Sequence, residues 1–97
     1  MELNEKKYEL MRYRMLKARA QGALDAGNTA IAHELAACAE VFRVELIERI
    51  SQIEDERIRK VLSMRYLHGL DWETIAEQMF FSVRWVMKLH RRGVEAL

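Results

Sequence analysis

Apolar and polar positions recur along this chain with helical periods, broken at a few points of turn chemistry. In residues 2–21, Tyr8, Met11, Met15 and Ala18 follow three-to-four spacing, with basic residues between them. The pattern predicts a first helix with these four on its packed stripe. Gly22 and then Asp25-Ala26-Gly27-Asn28 interrupt it. Gly tolerates positive φ there, and Asn28 or Thr29 can cap the next helix. That second helix is expected from the cap to about Ile53. Ile31, Leu35, Cys38, Phe42, Leu46, Ile50 and Ile53 keep the helical spacing, and Val41, Val44 and Ile47 add a second stripe. A helix apolar around so much of its girth predicts burial on two sides. One side would take the first helix, as an αα-hairpin. The other would take the C-terminal unit or another subunit.

Three shorter helices complete the chain. Asp55 is a candidate N-cap, although Ser51–Glu56 contains no Gly or Pro to break the chain. Ile58, Val61, Leu62 and Tyr66 form the inner face of the third helix, and Gly69 is its expected left-handed cap. Asp71 caps the fourth helix, Glu73 complements the dipole of its first turn, and Trp72, Ile75, Ala76 and Met79 face inward. Phe80-Phe81 form a turn, Ser82 caps the fifth helix, and that helix runs to the last residue. The expectation is an all-α fold. Residues 1–54 form a helical hairpin for oligomerisation or partner binding, and residues 55–97 form a helix-turn-helix unit.

Composition supports this reading. Among 97 residues there are no prolines and four glycines, with 51% apolar and 32% charged residues. That is enough apolar content for a core and too much for a disordered chain. Cys38 is the single cysteine, which excludes an intramolecular disulfide and suits a reducing compartment. The charged N-terminus lacks a signal-peptide pattern. No run approaches the ~20 apolar residues of a membrane span.

Charge changes the picture more. The net charge is +1, but residues 6–19 hold six Lys/Arg against Glu9, and residues 20–56 hold Arg43 and Arg49 against eight acids. Residues 82–92 hold Arg84, Lys88, Arg91 and Arg92 with no acid. At about 100° per residue, Arg84, Trp85, Lys88, Arg91 and Arg92 share roughly a third of the last helix's circumference. Val83, Val86, Leu89, Gly93 and Val94 fall on the rest, with Met87 and His90 among them. A helix of this width fits the DNA major groove, where Arg and Lys read guanine edges or neutralise phosphates. Residues near the helix start reach bases and later ones meet backbone. The expected DNA contacts are therefore Ser82, the capping residue; Val83, Arg84, Trp85 and Lys88 at base edges; and Arg91 and Arg92 at phosphates. A basic stripe is elsewhere often a solvated face, and a tryptophan often a core residue; the short-turn-short geometry favours nucleic acid.

The run RKVLSMRYLHGLDWETIAEQM, with Ser82, Val86, Leu89 and His90 after it, resembles the fourth conserved region of bacterial sigma factors. It is more closely similar to small phage late-gene transcription regulators of the ArpU and RinA type, which append helices to such a unit. The matching residues are Val61, Leu62, Arg65, Tyr66, Gly69, Trp72, Ile75, Ala76, Ser82, Val86, Leu89 and His90. The resemblance covers about 43 of the 97 residues. It implies a phage or prophage transcriptional regulator in the bacterial cytoplasm that binds double-stranded DNA sequence-specifically. The long apolar second helix would mediate self-association or contact RNA polymerase. One position departs from the pattern. The turn before the recognition helix usually holds Gly or Asn, which accept positive φ; here it is Phe80. Either the turn has another shape or packing holds Phe80.

Other chemistry finds little support. His33, His68 and His90 lack metal-ligand spacing, no Gly-rich phosphate loop is present, and no nucleophile pairs with a base. The expectation is a non-enzyme without cofactor or metal. His90 reads as a packing or phosphate-contacting residue, and His68 as a helix-end residue. The basic first helix (Lys6, Lys7, Arg12, Arg14, Lys17, Arg19) is a solvated face, a second nucleic-acid contact, or a partner for the acidic stretch Glu34–Glu56. Two rival functions remain: the DNA-recognition subunit of a phage packaging terminase, and a module that binds polymerase without touching DNA.

Overall fold

The computed structural model describes residues 3–97, with side chains from Asn4 onward. Its helices are α1 (Leu3–Leu10), α2 (Arg12–Asp25), α3 (Thr29–Ser51), α4 (Glu56–Leu62), α5 (Trp72–Met79) and α6 (Val83–Ala96), with a π-helical turn, Ser63–Leu67, continuing α4. No strand occurs among the described residues.

The expected first helix is two helices; Glu2, its expected start, lies outside the described residues. The chain bends at Met11, whose N–H still bonds to the Lys7 and Tyr8 carbonyls at 3.1 and 3.2 Å. The bend lays α1 against α6, where Lys6 Nζ donates to the Glu95 carbonyl at 3.2 Å. It also changes which residues pack. Leu10 and Tyr13 are buried, whereas Tyr8 and Met11, expected on the packed stripe, are 63% and 37% exposed. Ala18 is exposed as well.

α2 and α3 form the antiparallel hairpin. Asn28 caps α3, its Oδ1 accepting from Ile31 N–H. The buried stripe of α3 is Ala32, Ala39, Leu46 and Ile50. Leu46 and Ile50 lie on the expected stripe, but in the first half of the helix burial is shifted by one position, from Ile31 and Cys38 to Ala32 and Ala39. Alanines let α2 approach closely, so the larger Leu35 and Phe42 take half-buried flanking places. The second apolar stripe is not covered: Val41, Val44 and Ile47 are exposed. Basic residues of α2 lie over aromatic rings, with the Arg12 guanidinium 5.6 Å from the Phe42 centroid and Lys17 Nζ 5.7 Å from that of Tyr13.

The three C-terminal helices start at the predicted caps. Asp55 Oδ1 accepts from Arg57 N–H at 2.9 Å, Asp71 Oδ1 from Thr74 N–H at 2.8 Å, and Ser82 Oγ accepts from Trp85 N–H at 3.1 Å. Bonds from Thr74 hold the Asp71 carboxyl below the ordinary carboxylate range. Ile58, Val61, Leu62 and Tyr66 are all buried, as are Ile75 and Ala76. The π turn is closed by His68 N–H on the Ser63 carbonyl, and Gly69 comes next at φ +68°. A left-handed residue there is cheap only for glycine. The Arg14 guanidinium occupies the space where a β-carbon on Gly69 would stand, which ties α2 to this corner.

One buried cluster joins α1 and the end of α3 to the C-terminal helices. Leu10 from α1 and Leu46 and Ile50 from α3 belong to the same buried cluster as Val61, Leu62, Ile75, Val86, Leu89 and Val94. The short link between α3 and α4 is clamped by Arg59, which donates to the Glu54 carbonyl at 2.9 Å and to that of Ile53. None of the described helices is long and apolar enough to cross a membrane.

Candidate nucleic-acid interface

α6 has two faces of opposite character. Val86, Leu89 and Val94 are fully buried. Gly93 permits the closest approach to α4: a β-carbon there would stand 2.7 Å from Ile58 Cγ2 and 2.8 Å from Leu62 Cδ1. Those contacts are tighter than van der Waals packing allows, so any larger residue would push α6 off α4.

His90 locks the same face. It is 4% exposed, with its ring stacked on Tyr66 at 5.5 Å and edge-on to Trp72 at 4.7 Å. The Tyr66 hydroxyl and His90 Nε2 are hydrogen-bonded at 2.5 Å, the hydroxyl donating when neutral His90 carries its proton on Nδ1. Burial, with the nearby charges of Lys7 and Arg65, lowers the His90 pKa from 6.5 to about 4. Burial raises that of Tyr66 to about 12. Both groups are thus neutral near pH 7 and form a buried polar clasp among α4's end, α5 and α6. Of the two readings of His90, packing is what the geometry supports. Arg65 closes the clasp from outside, its guanidinium 4.4 Å from the Trp72 centroid and Nη1 donating to the Leu70 carbonyl at 3.1 Å.

The outer face carries the cations. Arg84, Lys88, Arg91 and Arg92 are all exposed. Arg91 Nε lies 3.2 Å from Glu95 Oε1, one turn on. Arg84 and Lys88 have no ion-pair partner among the described residues. Ser82 is exposed at the helix start, where its side chain is engaged as the cap. Val83 and Trp85 are half-buried and pack against the core. Trp85 lies between two guanidinium groups, Arg57 at 5.8 Å and Arg92 at 5.6 Å from its ring centroid. Each cation over the ring face is held electrostatically. Trp85 therefore sits at the edge of the arc and orients cations around it.

Two residues of this surface are not among those the sequence pattern points to. Met87 is 48% exposed and borders the arc, about 40° beyond Arg91 on the wheel. The helical angle sets it with the packed side, and only the fold leaves it open to solvent beside Arg91. Arg57 comes from α4 and reaches Trp85 only because α4 packs across α6; nothing local in the sequence signals that. Its charge is shared with Asp55, whose Oδ2 lies 3.0 Å from Nη2.

The turn before α6 takes the left-handed shape, with Phe80 at φ 59°, ψ 35°. Packing does not hold it there: Phe80 is 94% exposed. Its own N–H bonds to the Glu77 carbonyl and that of Phe81 to the Ala76 carbonyl, closing α5. So neither expectation for this position stands: the turn has the shape glycine would take, and the phenylalanine side chain projects into solvent. A left-handed conformation costs a non-glycine residue about 1–2 kcal/mol. Among the described residues no group of three His, Cys, Asp or Glu side chains is arranged to hold a metal ion.

Residues 55–97, beginning at the Asp55 cap, match the family model for sigma-70, region 4. That family is one of DNA-binding helix-turn-helix domains, which also contact RNA polymerase. The match leaves α1–α3 outside it. No curated protein and no solved structure matches the chain. The fold is thus all-α, a helical hairpin and then a three-helix helix-turn-helix of the sigma-region-4 kind.

Proposed function

We propose that this chain is a transcriptional regulator of the kind phages and prophages encode, binding duplex DNA sequence-specifically through α6. One observation carries the reading: four exposed cations share an arc of a helix whose opposite face is fully buried in the core. The major groove is about 12 Å wide, and a helix with side chains is about 10–12 Å across. The buried face fixes the angle at which α6 is presented. Arg84 and Lys88, unpaired and near the helix start, read base edges with Val83 beside them, and Trp85 borders that set. Arg91 and Arg92 bind phosphates, Arg92 oriented by the Trp85 ring. Backbone N–H groups at the starts of α5 and α6, around Asp71 and Ser82, add phosphate contacts that fix register. α3 provides the face for self-association or for RNA polymerase.

Selection of bound sequences from random duplex DNA at two salt concentrations tests this. Arg84→Ala or Lys88→Ala should cost on the order of 1–3 kcal/mol on the selected site and relax its preference, whereas Arg91→Ala should weaken all sequences alike. Variants that bind as the parent does would show that the arc is not the DNA face. A second reading draws on the uncovered Val41, Val44 and Ile47 of α3. An oligomer built there suits the DNA-recognition subunit of a packaging terminase, and a ring of many copies by solution mass would favour it over a monomeric or dimeric regulator.

A further inference from the structure

Phe80 combines two unfavourable features at one position. It is a left-handed non-glycine residue, and its ring is 94% exposed. Glycine would relieve both, since it accepts φ 59° without strain and has no ring to hydrate. Nothing in the packing of the turn uses the ring, because the α5 end is closed by backbone bonds alone. The side chain is therefore not explained by the fold.

Its position suggests what it meets. Phe80 stands two residues before the Ser82 cap, next to the N-terminus of α6, the end whose residues contact base edges in helix-turn-helix proteins. Phe80 and Phe81 border a shallow dent shared with Arg57, Lys60, Gln78 and Met79. Arg57 in turn lies over Trp85, on the basic side of α6. The cations of the dent are offset by acids, Arg57 by Asp55 and Lys60 by Glu56 at 3.4 Å. An apolar ring beside the start of a groove-reading helix has one matching feature in the major groove, the C5-methyl of thymine. We propose that Phe80 is a specificity residue that packs on a thymine methyl at the edge of the site read by Arg84. This rests on α6 being the DNA-reading helix.

The test uses the full chain and its selected duplex, with each thymine of the site replaced in turn by deoxyuridine, which lacks only the methyl. The parent should lose about fivefold in affinity at one thymine, roughly the value of one buried methyl. Phe80→Gly should bind the thymine duplex several-fold more weakly and be indifferent to that replacement. Its Tm should rise by a few degrees, because the strain is relieved, so weaker binding cannot be misfolding. Phe80→Asn, which also tolerates the left-handed turn, should behave as Phe80→Gly does. If Phe80→Gly binds as the parent does, or keeps the same sensitivity to deoxyuridine, the proposal is overturned while Arg84→Ala still reports on α6; the ring then serves a protein contact or none. If the parent binds no duplex even at low salt, the DNA reading itself is lost.

Discussion

The two halves of the molecule are packed by different rules. In α4–α6 the contacts are made by branched and aromatic side chains at or near zero exposure, with a buried Tyr66–His90 hydrogen bond at the centre. In the α2–α3 hairpin the contact line runs through Ala32 and Ala39, and larger residues flank it or face solvent. The first arrangement fixes orientation: several independent contacts over-determine where α6 lies. The second brings two helices close but buries little, and it leaves valines and isoleucines outside. Precision is concentrated where the cationic arc is displayed, and uncovered apolar surface where a partner would be met.

This contrast can be broken most decisively at Leu62, which is fully buried. Leu62→Ala should cost about 3 kcal/mol or more in chemical denaturation, as core truncations do. A small loss would mean that the C-terminal core is loosely packed after all. The next largest effect is pH. His90 has a folded pKa of about 4 against an ordinary 6.5. As pH falls through that window the unfolded chain takes up the proton first, so stability is complete above about 6.5 and is lost toward 4. The loss is on the order of 3 kcal/mol, and His90→Gln should flatten it. A parent whose stability is level from about pH 7 to about pH 4.5 would show that the clasp does not hold α6. The smallest effect belongs to the other half. Val41→Ala should change monomer stability by less than about 0.5 kcal/mol. Measured at two protein concentrations, a loss that grows with concentration would sharpen the comparison by showing that the α3 face is covered by another copy.

The C-terminal unit is largely legible in the sequence because its signals are local. Asp55, Asp71 and Ser82 cap their helices as short-range chemistry dictates, and Ile58, Val61, Leu62 and Tyr66 face inward by spacing alone. The hairpin is less legible because its signals are ambiguous. α3 carries apolar residues on most of its girth, so periodicity cannot choose between the line through Ile31 and Cys38 and the line through Ala32 and Ala39. The choice depends on how closely α2 can approach, a tertiary matter. The same holds for α1: nothing near Met11 breaks a helix, and the bend exists because Leu10 finds the shared core. In the site, the arc of Arg84, Lys88, Arg91 and Arg92 is visible from helical angle. The reach of Arg57 to Trp85 is not, since it joins helices far apart in sequence. Phe80 is visible as an anomaly, but its exposure emerges only from the fold.

The clamped link at Ile53–Glu54 and the core shared by Leu46, Ile50 and Leu89 have a consequence for any pair of these molecules. The face that would hold a second copy and the helix that would enter the groove are joined by a hydrogen-bonded link and by common packing. Two chains joined along α3 would carry their α6 helices as the fixed points of a ruler. The spacing and mutual phase of two half-sites on the duplex would then be set by protein geometry rather than found by flexible search. Inserting a few base pairs between them would rotate one half-site off the helix meant to read it.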